Sequence, residues 1–195
     1  MNAREAQITR RTNETEIELS LNLDGSGRGE VETGLPFLDH MVATLARHAR
    51  FDLKLACRGD LEVDDHHTSE DCALAIGAAV DQALGERRGI ARFGHAYAPL
   101  DEALARATID FSGRAYSVIY LGLARDDLGG WAAENVGHFF RSFATAARAT
   151  LHVELLRGAN DHHRTEAAFK SLALAVRQAV ARDGGAEVPS TKGTL

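Results

Sequence analysis

From Thr15 to Leu23, apolar Ile17, Leu19, Leu21 and Leu23 alternate with polar Glu16, Glu18, Ser20 and Asn22. A period of two predicts a strand with one buried face. Asp24-Gly25-Ser26-Gly27 reads as a turn, and predicts that residues 28–34 return as the second arm of a hairpin. The period then changes. Leu38, Met41, Val42 and Leu45 fall on one stripe of a helix over Phe37–His48, Phe51–Cys57 is a strand, and a second helix opens at Asp65. That helix carries Cys72, Ala73, Ile76, Ala79, Val80 and Ala83 at helical spacing and stops near Gly85, a residue suited to helix C-termini.

The same order recurs further on. Thr108–Phe111 and Tyr116–Leu121 read as strands joined by Ser112-Gly113-Arg114, Val136–Ala147 as a helix with Val136, Phe139, Phe140 and Phe143, Leu151–Leu155 as a strand, and Asp161 onward as a helix with Phe169, Leu172, Val176 and Val180. The two halves also share residues at a fixed offset of 96 positions, including Ala79 with Ala175, Val80 with Val176 and Gln82 with Gln178. The pattern therefore predicts an α+β protein built from two duplicated strand-strand-helix-strand-helix halves, with two mixed four-stranded-type sheets packed with helices. Residues 1–93 are the first half-repeat and 94–195 the second, in one compact duplicated domain with a mobile C-terminal tail from Pro189.

Composition narrows the picture. The 195 residues suffice for a full core, and no apolar run approaches the roughly 20 residues of a membrane span. The first eleven residues show neither the apolar stretch of a secretory signal nor the composition of a transit peptide, so the expected location is the cytoplasm. Cys57 and Cys72 have no C-x-x-C spacing, and buried free thiols are expected. A formal net charge of -6 argues against a nucleic-acid surface.

The candidate chemistry lies in a cassette that occurs twice, Asp65-His66-His67-Thr68-Ser69-Glu70 and Asp161-His162-His163-Arg164-Thr165-Glu166. With 3.6 residues per turn, adjacent histidines point about 100° apart, so His66 and His67 do not readily bind one ion. Each cassette is expected to feed two sites. His66 and Glu70, like His162 and Glu166, have i, i+4 spacing, whereas His67 with Glu70 and His163 with Glu166 have i, i+3 spacing; either shares a helix face. His40 and His138 precede the cassettes in the first helix of each half, so six of the nine histidines follow one repeated pattern. The expected centre has two ions, each bound by two or three imidazoles and a carboxylate, a donor set suited to manganese, iron, cobalt or zinc. Asp65 and Asp161 are candidates to cap their helices or orient a ligand. The H-E-x-x-H, dinucleotide-loop and G-x-S-x-G patterns are absent from the cassettes and loops.

Several segments together resemble the imidazoleglycerol-phosphate dehydratase family: Thr33-Gly34-Leu35-Pro36-Phe37-Leu38-Asp39-His40-Met41, Gly59-Asp60-Leu61, the first cassette, Arg92-Phe93-Gly94, Pro99-Leu100-Asp101-Glu102-Ala103-Leu104, His138-Phe139-Phe140, Asn160-Asp161-His162-His163 and Pro189-Ser190-Thr191-Lys192-Gly193. The resemblance runs from about Thr12 to the C-terminus, with no segment left for the phosphatase domain fused to some members. It implies a manganese-dependent hydro-lyase of histidine biosynthesis, with two Mn2+ per active site, that converts imidazole glycerol phosphate to imidazole acetol phosphate through a metal-bound imidazolate and a diazafulvene-like intermediate. It implies Glu14 as the catalytic proton-transfer group, and His48, Arg92, Arg114, Lys170, Ser190 and Lys192 as candidates for substrate phosphate. The eight metal ligands are expected to be His40, His66, His67, Glu70, His138, His162, His163 and Glu166. It further implies a homo-oligomer, a 24-subunit shell with sites between neighbours, acting on a small phosphorylated imidazole. No nucleic-acid or membrane partner is expected. A dimetal hydrolase and a metal-organised assembly protein are the competing readings.

Overall fold

The computed structural model describes residues 3–195. Its first half runs β1 (Glu5–Arg11), β2 (Thr15–Asn22), β3 (Gly29–Glu32), α1 (Pro36–Ala49), β4 (Asp52–Gly59) and α2 (His66–Leu84). The second repeats the order as β5 (Phe93–Leu100), β6 (Ala103–Asp110), β7 (Tyr116–Tyr120), α3 (Ala133–Ala146), β8 (Thr150–Arg157) and α4 (Asp161–Ala179). Each half forms a mixed four-stranded sheet, ordered β1-β2-β4-β3 in one and β5-β6-β8-β7 in the other. This is the duplicated α+β architecture that the hydrophobic pattern predicts, with one more strand per half than the pattern reveals.

The expected β2–β3 hairpin does not form. β2 pairs antiparallel with β4, and β3 pairs with the other edge of β4 in parallel, so β4 lies between the two arms. The turn-like segment after β2 instead crosses the end of β4, where the Asp52 carboxylate accepts from the Ser26 and Arg28 backbone N–H groups at 2.8 and 3.1 Å. The Arg28 guanidinium, followed by those N–H groups, holds the Asp52 carboxyl well below the usual carboxylate range. The true hairpin is β1–β2, in register from Glu5 opposite Asn22 to Arg11 opposite Glu16. Likewise, β6 and β7 are not neighbours, because β8 separates them.

The helices lie between the two sheets and pair across the halves, α1 with α4 and α2 with α3. Alternation in β2 buries Ile17, Leu19 and Leu21 toward them, and leaves Glu16, Glu18 and Ser20 outward. The second half adds an aromatic cluster of Trp131, Phe139, Phe140 and Phe169, all fully buried, with ring centroids 4.7–6.2 Å apart in its contacting pairs. The Trp131 indole N–H donates to Ser69 Oγ at 3.0 Å, which ties the loop before α3 to the cassette end of α2. Both cysteines are buried and unbridged. No helix among the described residues is long and apolar enough to cross a membrane.

Two glycines set the spacing of these layers. A Cβ on Gly77 of α2 would lie 2.5 Å from the Phe143 carbonyl of α3, and one on Gly94 of β5 would lie 1.9 Å from the Ala175 carbonyl of α4. Backbone at that distance cannot step aside as a flexible side chain does. Gly94→Ala is therefore expected to lower stability by about 1–3 kcal/mol through overpacking, read as a lower urea midpoint; an unchanged midpoint would show that α4 is free to shift.

Candidate metal centre and active site

Helix pairing across the halves brings the histidines together. On α1 and α4, His40 Nε2 and His162 Nε2 lie 3.3 and 3.2 Å from the same Glu166 oxygen. On α2 and α3, His66 Nε2 and His138 Nε2 lie 3.7 and 3.3 Å from the two oxygens of Glu70. In each group one donor atom per residue falls within 4.8 Å of the others. The i, i+4 pairs of the cassettes are thus the ones used within each cluster, and the third donor comes from the other half. His67 and His163 stand apart from both clusters.

The donor atoms fit a divalent transition ion. His138 Nε2 is buried and has no hydrogen-bond partner among the described residues, although it lies beside Glu70 and its ring stacks on His66 with centroids 4.7 Å apart. A buried, unpaired ring nitrogen is costly unless something occupies its lone pair. Two imidazoles and a carboxylate at this spacing also leave coordination positions open. His66, Glu70 and His138 would hold one ion, and His40, His162 and Glu166 the other.

The clusters are not identical. His66 Nδ1 meets the Asn135 amide oxygen at 3.1 Å, whereas the His162 ring packs against Phe37 with centroids 5.0 Å apart. Lys170 Nζ lies 2.7 Å from Glu166. Burial pushes the Glu166 carboxyl up, but Lys170, aided by His40, outweighs this and leaves it below its ordinary value. His48 is lowered by its own burial and by the nearby Lys170 charge.

His67 and His163 each have a carboxylate on Nδ1, Asp60 at 3.1 Å and Glu102 at 2.7 Å. These partners raise both imidazoles above their ordinary pKa, and the His163 contact helps to lower Glu102 to about 2. Glu14, in the β1–β2 turn, has its carboxylate 3.6 Å from His67 Nε2 and about half exposed.

The phosphate candidates divide into two groups. Lys170 and His48 adjoin the His40 cluster. Arg92 is bound to Asp110 at 2.7 Å and to the Pro189 carbonyl at 2.7 Å, which places it against the C-terminal tail that carries Ser190 and Lys192. The Ser190 hydroxyl accepts from the Lys192 N–H at 3.2 Å, and the chain end at Leu195 lies against Gly113, next to Arg114.

Asp65 stands at the N-cap of α2 but makes no side-chain capping bond, Asp161 lies inside α4 rather than at its cap, and neither side chain orients an imidazole. Asp65 accepts from the Ala132 N–H at 2.6 Å, and Asp161 from the Ala124 and Arg125 N–H groups at 2.7 Å, so each anchors a loop of the second half. Asn160 caps α4 instead. The groups that orient imidazoles are Asp60, Glu102 and Asn135, isolated polar residues whose only sequence signal is their place in or beside the family-like segments.

The sequence model of the imidazoleglycerol-phosphate dehydratase family matches residues 33–176. The chain belongs to this family. It is 59% identical over 192 residues to imidazoleglycerol-phosphate dehydratase from Phytophthora nicotianae, covering 98% of this chain but only 42% of that protein. The enzyme of the same name from Candida glabrata is 52% identical, with 97% of this chain and 99% of that protein covered. Among solved structures, imidazoleglycerol-phosphate dehydratase from Staphylococcus aureus superposes with a TM-score of 0.83 at 32% identity, over 91% of this chain and 99% of that one. The Pyrococcus furiosus family member gives 0.84 at 34% identity, over 96% and 100%. The two-sheet fold is thus the family fold.

Proposed function

We propose that this chain dehydrates imidazole glycerol phosphate to imidazole acetol phosphate, a step of histidine biosynthesis, with two manganese ions at its active site. The observation that carries the reading is the pair of mirrored His-His-Glu clusters, one with a buried ring nitrogen that lacks a partner. Divalent ions held there supply Lewis acidity toward the nitrogens of a substrate imidazole. The hydrogen to be removed from the glycerol chain is not next to a carbonyl, so a positioned base and an activated ring are both required.

In this reading the hydroxyl on the carbon next to the ring leaves as water, Glu14 takes the proton from the neighbouring carbon to give the enol, and it hands a proton back to carbon as the enol becomes the ketone. Lys170 and His48 offer positive charge or N–H donors to the phosphate from the α1–α4 side, and Arg92, Arg114, Ser190 and Lys192 from the tail side. His67 and His163 are left over from the clusters of their own chain, which supports sites completed between copies in a 24-subunit shell. The proposed location is the cytoplasm.

The test is incubation with imidazole glycerol phosphate and Mn2+, followed by detection of the ketone. Ketone that appears only with metal is the expected result. Inorganic phosphate released without ketone would instead favour a dimetal hydrolase and overturn the lyase reading.

A further inference from the structure

The turns before β2 and β6 occupy corresponding places in the two halves. Glu14 immediately precedes β2, and Glu102 immediately precedes β6. Each lies beside the second histidine of its own cassette, Glu14 beside His67 and Glu102 beside His163. Duplication has therefore placed two equivalent glutamates beside two equivalent imidazoles.

Their surroundings differ. Glu102 has both oxygens engaged: one accepts from His163 Nδ1 at 2.7 Å, and the other from the Ala159 and Asn160 backbone N–H groups at 3.1 and 2.8 Å. Glu14 makes no hydrogen bond to His67, its carboxylate lying 3.6 Å from Nε2, and it is Asp60 that takes His67 Nδ1, with oxygens at 3.1 and 3.2 Å. Asp60 is itself tied to the turn, its backbone N–H donating to the Glu14 carbonyl at 3.1 Å. In the first half, then, the aspartate at the end of β4 performs the task that the turn glutamate performs in the second.

A carboxylate on Nδ1 requires that nitrogen to carry the hydrogen, which leaves the lone pair of the neutral ring on Nε2 and makes it a stronger donor. We infer that Glu102 and Asp60 are matched positioning residues that fix the tautomer and aim of His163 and His67 toward divalent metal, and that Asp60 thereby frees Glu14 for proton transfer. The inference rests on the proposed metal centre, and says nothing of which ion is loaded.

Mn2+ titrated into the metal-free full-length protein, with free Mn2+ followed by its paramagnetic resonance signal, tests it. Glu102→Ala and Asp60→Ala are each expected to weaken binding about 10- to 100-fold. Glu102→Gln and Asp60→Asn, which keep an oxygen acceptor for the ring N–H, are expected to recover most of that loss, with unchanged melting of the metal-free protein. Wild-type affinity in both alanine variants would overturn the inference while leaving the metal centre intact. Equal weakening in the alanine and amide variants, together with lower melting temperatures, would overturn it in favour of a purely structural role. Failure of the wild-type protein to bind Mn2+ would remove the metal centre and this inference together.

Discussion

Glu14→Gln is expected to cut ketone formation by about 10²- to 10⁴-fold, the range for a positioned general base, while metal content and folding remain at wild-type levels. The glutamine has the shape of the carboxylate but cannot accept the proton. The side chain is also well placed for a selective loss. It sits half exposed in the β1–β2 turn, it lies outside both three-donor clusters, and His67 keeps its Asp60 partner without it. Turnover and bound metal measured on the same preparation decide the matter. Undiminished turnover would remove Glu14 from the chemistry, and a parallel fall in metal would make it a ligand rather than a base.

His138→Ala is expected to lower bound metal from about two ions per chain to about one, and to reduce turnover by roughly 100-fold or more, as a site that loses one of its imidazole donors loses affinity. His138 stands on α3 in the second half, while its partners His66 and Glu70 stand on α2 in the first. The loss is therefore a test of the pairing between halves. His152→Ala supplies the control, since this exposed residue of β8 belongs to neither cluster. Elemental analysis of both variants reads the result; two ions retained in His138→Ala would refute the α2–α3 cluster.

The helices and cassettes were legible because their information is local. Apolar spacing every three or four residues marks α1 to α4, and His-His-x-x-Glu places its donors within one turn. Of the four edge strands, β1 and β5 are not legible, for a physical reason. In β1 only Ala6 is fully buried, and β5 turns Gly94, Ala96 and Ala98 toward α4, where close backbone approach excludes the large residues that normally reveal a strand. The false β2–β3 hairpin has the same kind of origin: Asp24-Gly25 looks like a turn, but its path is set by Asp52, far along the chain. The orienting role of Asp60, Glu102 and Asn135 is not legible in the sequence, because nothing in their spacing relates them to an imidazole. Only the packing of strand ends and helix faces does.

The crossed pairing of α1 with α4 and α2 with α3 bears on descent as well as on chemistry. One half alone carries the first histidine of one cluster and the cassette of the other, so a half-length ancestor would have needed a second copy of itself to assemble any three-donor set. Joining the copies in one gene released them from having to be identical. Phe37 now stands where its counterpart is Asn135, and Leu74 occupies the place, four residues after the cassette glutamate, that Lys170 fills in the other half. What began as one locus used twice has become two that selection is free to tune apart.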